Sequence, residues 1–221
     1  MSAAFEGKAP VAPRLVALRR RTRETDISLR LDLDPEPGAA PAAGAISTGI
    51  GFLDHLLGSL AFHARWSLEL SCAGDLAVDE HHSAEDCALL LGEALARALD
   101  SGPPIRRFGW AFAPLDEALA RAVVDLSGRP FARVRLGLGQ ARLGGLAGEN
   151  AEHFAASLAM AARMTLHLDL LRGENAHHRA EAAFKALALA LRGACRADTS
   201  LGASAGGSST KGLIIVQEDN P

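Results

Sequence analysis

The chain has 221 residues, 48% of them apolar and 22% charged, so it can bury a sizeable core as one domain or as two closely packed halves. Its net charge of -3 argues against a general binder of nucleic acid or anionic membrane, and no apolar run approaches the roughly 20 residues that span a bilayer. The three cysteines, Cys72, Cys87 and Cys195, show no CxxC spacing, which predicts reduced thiols in a cytoplasmic protein.

The first 45 residues predict a leader, a strand and a loop. Residues Met1–Pro13 have neither an apolar signal core nor a cleavage pattern, so we expect a flexible leader there. Residues Ile27–Leu33 alternate between apolar and polar side chains, as a half-buried strand does. Residues Asp34–Ala45 are rich in proline, glycine and alanine and predict a mobile loop.

Strands and helices are mixed in the rest of the chain. Alternation predicts strands at Ser67–Ser71, Ala122–Ser127 and Phe131–Leu136, and a last buried strand is predicted at Leu213–Val216. Alanine- and leucine-rich stretches predict helices over Cys87–Leu99, Ala151–Met164 and Ala182–Arg196. Because the elements do not follow a strict strand–helix–strand order, the α+β class is favoured over a doubly wound sheet.

Two parts of the chain resemble each other closely enough to indicate an internal duplication. Residues Asp54–Ala61 align with Glu152–Ala159 at a constant offset of 98 residues. The pattern His-His-x-x-Glu then occurs twice, at His81–Glu85 and at His177–Glu181, with an offset of 96 residues. We therefore expect two copies of one unit, each made of an acid–His helix, a strand, a loop and a second helix.

The repeated histidines and glutamates form a pattern typical of metal ligands. Residues four apart share one face of a helix, so His81 with Glu85, and His177 with Glu181, can each hold one ion. The second histidine of each pair lies about 100° around the helix and suits another ion. A single pair could be a surface accident, but repetition favours metal binding. Pseudo-twofold symmetry predicts two sets of ligands: His55, His81, Glu85 and His178 for one ion, and His82, His153, His177 and Glu181 for the other.

Cations and hydroxyls outside these clusters can converge on a phosphate group. They are Arg107, Arg129, Lys185, Ser209, Thr210 and Lys211. Taken singly, each arginine is also typical of a solvated surface charge. Lys185 follows His177 by eight residues, about two helical turns, so we expect it near that cluster.

A series of motifs along almost the whole chain resembles one known enzyme family. The motifs are Arg21–Thr25, Thr48–His55, Asp79–Asp86, Pro114–Ala118, Asp125–Pro130, Asn175–His178 with Phe184–Ala186, and Ser209–Gly212. Together they are similar to those of imidazoleglycerol-phosphate dehydratase, in the same order from about residue 14 to residue 216. Ser59 and Ala155 depart from residues common in that family, but no metal ligand is missing.

The resemblance implies a monofunctional manganese-dependent hydro-lyase of histidine biosynthesis. It implies an α+β fold with an internally duplicated βα unit, similar to domain 2 of ribosomal protein S5, in which two sheets pack with helices. On this chain the two halves are expected at residues 14–105 and 106–217, with a tail at 218–221. Expected partners are a small phosphorylated imidazole substrate and further copies of the chain, in trimers and a larger cage, without nucleic acid or membrane.

The resemblance also assigns residues. It implies two Mn²⁺ per active site, held by the eight ligands named above, and substrate contacts from the cations and hydroxyls named above. His63, whose repeat equivalent is Ala161, becomes a candidate for lining the site. Glu24 matches a glutamate that lies near the substrate in the family.

The implied reaction converts D-erythro-imidazole glycerol phosphate to imidazole acetol phosphate, and its chemistry explains a need for two ions. The hydrogen to be removed lies on a carbon without a neighbouring carbonyl, so ordinary enolate chemistry is unavailable. A di-manganese-bound imidazolate could expel the hydroxyl and give a diazafulvene-like intermediate. Glu24 is the predicted acid/base, with Asp116 as a second candidate. Asp116 and Glu117 could equally be charges at a helix N-terminus.

Two other classes of function compete with this interpretation. A dinuclear phosphoester hydrolase would use similar metals and cations, but the chain lacks an aspartate-rich bridging pattern. A noncatalytic metal-stabilised assembly or an S5-like RNA binder would explain the fold. The acidic charge balance and the phosphate-type cations disfavour that last class.

Overall fold

The computed structural model of the chain describes residues 14–36 and 45–198, and its elements follow the predicted duplication. The first copy consists of β1 (Leu15–Arg21), β2 (Thr25–Asp32), β3 (Ile46–Ser47), α1 (Gly51–Ala64), β4 (Ser67–Gly74) and α2 (His81–Asp100). The second consists of β5 (Phe108–Leu115), β6 (Ala118–Asp125), β7 (Phe131–Arg135), α3 (Gly148–Ala161), β10 (Thr165–Arg172) and α4 (Ala176–Ala194). A small hairpin, β8 (Arg142–Leu143) and β9 (Leu146–Ala147), precedes α3.

Each copy builds one four-stranded mixed sheet with the same topology. The strand order is β1-β2-β4-β3 in the first sheet and β5-β6-β10-β7 in the second. In both sheets the last strand pairs in parallel with its neighbour and the other pairs are antiparallel. The predicted α+β class with an internally duplicated βα unit is therefore confirmed.

Four helices lie between the two sheets and form the core with them. Helix α2 packs on β1 and β2, and α4 packs on β5 and β6. The two copies then meet helix to helix, α1 against α4 and α2 against α3. Fully buried leucines of α1 and the rings of Phe154 and Phe184, 5.9 Å apart, fill the space between them. This pairing of helices determines which metal ligands can meet.

Small residues allow α4 to lie very close to the second sheet. The inward side chains of β6 are Ala118, Ala120, Ala122 and Val124, all buried. On β5, a Cβ atom at Gly109 would lie only 2.0 Å from the carbonyl oxygen of Ala190 on α4. The close approach fixes the position of α4, and with it the position of the ligands at its N-terminal end.

The structure corrects several boundaries predicted from the sequence. Strands β1 and β5 were not predicted. Helix α2 begins at His81, six residues before the predicted start, so His81, His82 and Glu85 all lie within the helix. Asp116 and Glu117 form the turn between β5 and β6, with a left-handed φ of 46° at Asp116. They therefore do not begin a helix of their own.

Some sequence predictions concern residues outside the described ranges. The predicted leader Met1–Pro13, the predicted strand Leu213–Val216 and the residues Ser209, Thr210 and Lys211 all lie there, as does most of the Asp34–Ala45 loop. The three cysteines lie inside the described ranges and are free thiols. None of the helices in those ranges is long and apolar enough to cross a membrane.

Candidate metal centre

The N-terminal ends of α1 and α4 bring three predicted ligands together. His55 lies near the start of α1, and His177 and Glu181 lie one turn apart at the start of α4. The Nε2 atoms of both histidines lie 3.1 Å from Oε2 of Glu181. We call these three residues the His55 cluster. Their ligand atoms lie within 4.8 Å of one another, so one cation can contact all three.

The N-terminal ends of α2 and α3 form the equivalent group. His81 and Glu85 lie on the first turns of α2, and His153 lies on α3. The Nε2 atom of His153 lies 2.9 Å from Oε1 of Glu85, and the rings of His81 and His153 stack with centroids 4.9 Å apart. These residues are the His153 cluster, and their ligand atoms also lie within 4.8 Å of one another.

Within one chain the structure groups the predicted ligands differently from the two predicted sets. It placed His55 with His81 and Glu85, whereas the structure places His55 with His177 and Glu181. Because α1 packs against α4 and α3 packs against α2, each acid–His helix supplies its histidine to the other copy's His-His-x-x-Glu helix. The exchange preserves the pseudo-twofold symmetry, since both clusters have two histidines and one glutamate.

The remaining two predicted ligands, His82 and His178, turn towards carboxylates in nearby loops and hairpin turns. The Nδ1 atom of His82 lies 3.0 Å from Asp75 and 3.8 Å from Glu24, and the hydrogen bond to Asp75 raises the pKa of His82. The Nδ1 atom of His178 lies 2.7 Å from Glu117, which raises the pKa of His178 in the same way. When the Nδ1 atom of a histidine makes such a hydrogen bond, the ring is held with its Nε2 atom pointing away from the carboxylate. Metal-binding histidines are commonly oriented in this way.

Glu117 receives more than the histidine contact. It also accepts hydrogen bonds from the backbone N–H groups of Glu174 and Asn175, at 3.1 and 2.9 Å. The contact with His178 and these backbone donors hold the pKa of Glu117 at about 2. The carboxylate therefore fixes both the start of α4 and the orientation of His178.

We expect Glu117→Gln to weaken metal binding by about 10- to 100-fold, because outer partners of metal-bound histidines contribute about that much to affinity. The glutamine keeps an oxygen for the two backbone donors and loses the charge that orients His178. Titration with Mn²⁺, followed by the electron paramagnetic resonance of the free ion, measures the change. Glu174→Gln, at an exposed residue in the loop between β10 and α4, is the matched control. Equal affinities for the two variants would contradict the role of Glu117.

Neighbouring side chains orient the residues of the two clusters and set their charge, so that they can bind a cation. The Nδ1 atom of His81 lies 2.8 Å from the amide oxygen of Asn150, which leaves Nε2 to face the cluster. Lys185 lies near the His55 cluster, as predicted, with its Nζ 2.6 Å from Oε1 of Glu181. Partial burial acts to raise the pKa of Glu181, but hydrogen bonds from Lys185 and His55 outweigh it and hold that pKa at about 2. Glu181 is therefore ionised at neutral pH and can act as a carboxylate ligand.

Acidic residues beside the ligands brace the helix starts. The carboxylate of Asp54, next to His55, accepts hydrogen bonds from the backbone N–H of Thr48 at 2.7 Å and from its hydroxyl at 2.6 Å. Glu152, the repeat equivalent of Asp54, accepts one from the backbone N–H of Leu138 at 2.7 Å. The acid–His pairs were recognised in the sequence, but the bracing role of their acids becomes visible only in the structure.

The three predicted phosphate ligands that lie in residues 14–36 and 45–198, Arg107, Arg129 and Lys185, do not converge within one chain. Arg107 and Arg129 both contact Asp125, at 2.6 and 3.6 Å. They lie at the end of β5 and β6 opposite to the Asp116–Glu117 turn, about 25 Å away along an eight-residue strand. Lys185 lies with the His55 cluster instead. His63 lies two turns after His55 on α1, where burial and the nearby Lys185 lower its pKa.

The donor sets fit a divalent cation such as Mn²⁺. Each cluster offers two imidazole nitrogens and one carboxylate oxygen, a mixture that suits several first-row divalent metals. The residues of the His55 cluster are partly exposed, which leaves room for further ligands. The two clusters differ little, so they suit two ions of the same kind.

A duplicated α+β fold that carries two matching His–Glu clusters at its helix N-termini defines a metal-dependent enzyme. The model of the family described as imidazoleglycerol-phosphate dehydratase matches residues 48–191, which include both clusters. The chain belongs to this family of hydro-lyases of histidine biosynthesis.

Individual relatives and solved structures agree with the family match. The imidazoleglycerol-phosphate dehydratase of Trichoderma harzianum is 51% identical over 203 residues, which cover 83% of this chain and 98% of the relative. The crystal structure of the Staphylococcus aureus enzyme matches with a TM-score of 0.73 and 34% identity, over 83% of this chain and 99% of that one. The Pyrococcus furiosus structure, in complex with (S)-C348, matches with a TM-score of 0.74 and 37% identity, over 89% and 100%.

Proposed function

We propose that the chain converts D-erythro-imidazole glycerol phosphate to imidazole acetol phosphate with two Mn²⁺ per active site. The observation that carries the proposal is the pair of equivalent clusters in a chain of this family. The two clusters would hold the two cations, which would supply Lewis acids for the two nitrogens of the imidazole ring. The three free cysteines support a reducing, cytoplasmic location.

The protein residues around the clusters support this chemistry. When bound, the two cations supply Lewis-acid stabilisation of the negative charge that the ring takes on. The proposed route expels the hydroxyl with ring electrons and passes through a diazafulvene-like intermediate. Glu85 and Glu181 are engaged with histidines, so the proton must move to another carboxylate. Glu24, half-exposed and 3.8 Å from Nδ1 of His82, is the acid/base that we propose.

Asp116 is the second candidate for proton transfer. Its carboxylate lies 3.8 Å from Nε2 of His178 and is well exposed. Glu24 lies in the turn between β1 and β2, and Asp116 lies in the equivalent turn between β5 and β6. The duplication therefore presents one free carboxylate beside each outer histidine. We favour Glu24 because it matches the glutamate that lies near the substrate in the family.

We propose that the active site is completed by a neighbouring copy of the chain. Arg107 and Arg129 lie too far from the clusters of their own chain to bind the phosphate of a substrate held there. From an adjacent subunit they can do so, together with Lys185, His63, Ser209, Thr210 and Lys211. The outward Nε2 atoms of His82 and His178 can likewise complete the coordination of ions in adjacent subunits.

The outer face of the second sheet supports self-association, which we propose produces trimers and a larger cage. It exposes Phe108, Trp110 and Phe112 by 52%, 72% and 56%, with Val123 and Phe131 beside them. In the first sheet the equivalent row across the strands is Ala17, Arg30 and Glu69, where the second has Trp110, Val123 and His167. Only one of the two copies therefore has an apolar outer face, as a surface that binds another subunit does.

Trp110→Asp should dissociate the assembly and lower dehydratase activity with it. A carboxylate at the centre of the apolar face cannot be buried without a partner. Size-exclusion chromatography with light scattering measures the mass, and the expected result is a shift from a large particle to smaller species. Ala17→Asp places the same charge at the equivalent position of the first sheet and serves as the control. A Trp110→Asp variant that keeps the full mass would contradict this interface.

The reaction is tested by supplying imidazole glycerol phosphate and Mn²⁺ to the purified chain. The proposal predicts formation of the enolisable ketone without release of inorganic phosphate. Phosphate release without ketone would instead indicate the alternative, a dinuclear phosphoester hydrolase. A protein that binds Mn²⁺ but forms neither product would contradict both.

A further inference from the structure

A basic cavity lies at the end of the molecule opposite to the His55 cluster. It measures about 550 Å³ and lies where α1 and α4 end, with the beginning of β1 at its rim. Five arginines line it: Arg14, Arg65, Arg106, Arg192 and Arg196. Arg192 follows the ligand His177 by 15 residues, which is about 22 Å along α4. The cavity is therefore separate from the candidate metal centre.

Four of the five arginines have no acidic partner within residues 14–36 and 45–198. Arg14 is buried and makes two hydrogen bonds to Asp34, the only carboxylate among the described residues that line the cavity. Arg65, Arg106, Arg192 and Arg196 are exposed, and no ion pair is present for any of them in those ranges. In a chain with a net charge of -3, this is a strong local concentration of positive charge.

The internal repeat provides a direct comparison for this cavity. Where α2 and α3 end, an equivalent cavity of about 190 Å³ is lined by Asp100 and Arg163, which form an ion pair at 2.7 Å. At the offsets of the repeat, Arg163 corresponds to Arg65 and Asp100 corresponds to Arg196. An ion pair in one copy is thus replaced by two like charges in the other.

A further pair of equivalent lining residues also places more positive charge in the larger cavity. Ala96 in the smaller cavity corresponds to Arg192 in the larger one. The helix dipole stabilises Arg192 in the last turn of α4, but it gives no reason for a second arginine opposite Arg65. Like charges around a cavity are unfavourable unless an anion lies between them.

We propose that this cavity binds a small molecule that carries two phosphate groups. One guanidinium group can donate two hydrogen bonds to the oxygens of one phosphate. The four arginines without an acidic partner in the described ranges are therefore enough to bind two phosphates. The volume lies within the range of small-molecule sites, about 300 to 1,000 Å³. Arg107, proposed above for the substrate, contacts Asp125 and does not line this cavity. The inference therefore goes beyond the dehydration and does not depend on it.

The test uses fructose 1,6-bisphosphate as the probe, with calorimetric titration of the full Mn²⁺-loaded chain. Saturable binding is expected, weakened at least about 10-fold in a variant with Arg65→Gln and Arg196→Gln, since two charge-assisted contacts are lost. A variant with Arg97→Gln and Arg163→Gln has the same change in net charge at the equivalent end of the other copy. It should bind the probe as the unmodified chain does.

Any one of four results would overturn the proposal. The first is an absence of binding to the unmodified chain, and the second is equal weakening in both double variants, which would show a response to net charge alone. The third is loss of binding in Arg129→Gln with retention in the cavity variant, which would place the probe at the substrate's phosphate site. Orthophosphate should bind at least about 10-fold more weakly than the bisphosphate, and equal affinity would refute the two-phosphate ligand.

Dehydration assayed in parallel should be unchanged in the cavity variant, which separates this test from that of the enzyme's reaction.

Discussion

Replacing Glu24 with glutamine is expected to lower kcat for the dehydration by about 1,000-fold while both Mn²⁺ ions stay bound. General acid–base groups contribute about 100- to 10,000-fold, and glutamine preserves the shape of the side chain but cannot take up a proton. Glu24 belongs to neither cluster, and its nearest ion-pair contact is 3.8 Å from His82. Loss of its charge should therefore affect proton transfer far more than metal content.

The measurement combines steady-state kinetics with metal analysis of the same preparation. Asp116→Asn is the matched variant, because Asp116 occupies the equivalent hairpin turn of the second copy. It should reduce kcat much less than Glu24→Gln does. Near-normal turnover in Glu24→Gln would reject the role of Glu24, and a large loss in Asp116→Asn alone would transfer that role to the second copy.

Glu181→Gln is expected to remove the ion of the His55 cluster and to lower turnover by about 10,000-fold or more. Oε2 of Glu181 lies 3.1 Å from both histidines of the cluster, and Oε1 lies 2.6 Å from Lys185. Without the carboxylate, the positive charge of Lys185 would face the cation site uncompensated. That charge would repel the cation, and the two histidines alone would not hold it.

Metal content per chain is the decisive readout for this variant. It should fall from two ions to one, and Glu85→Gln should do the same through the His153 cluster. Glu93→Gln is the control, because Glu93 is an exposed residue that pairs with Arg97 on the surface of α2. Retention of two ions in Glu181→Gln would show that the His55 cluster does not hold a cation.

The duplication and the histidines and glutamates of the two clusters could be predicted because their signals are local. The His-His-x-x-Glu pattern fixes the spacing of ligands on one helix, and two aligned copies reveal the repeat. The grouping of these side chains within the chain could not be predicted, since it depends on which helices pack together. His55 joins His177 only because α1 packs against α4, a contact between distant parts of the chain.

The missed strand β5 shows a second limit of sequence patterns. Its outward residues are Phe108, Trp110 and Phe112, while its inward positions include Gly109 and Ala113. This reverses the usual rule that large apolar residues lie inside, so the alternation did not indicate a half-buried strand. The reversal has two physical causes: α4 lies too close for large inward side chains, and the outer face is apolar.

The partners that orient the outer histidines were also missed. Asp75 and Glu117 lie in loops with no distinctive spacing, and only the folded chain brings them to His82 and His178. Asn150 reaches His81 from the start of the other copy's helix in the same way. Such contacts are specified by the tertiary structure. The sequence shows that these residues are polar, but it does not show which residues they contact.

The central claim is that the two clusters each hold one cation, and anomalous diffraction at the manganese edge tests it most directly. Crystals grown with Mn²⁺ should show one peak among His55, His177 and Glu181 and a second among His81, Glu85 and His153. Manganese peaks at other positions only, with both clusters free of metal at saturating Mn²⁺, would contradict the account.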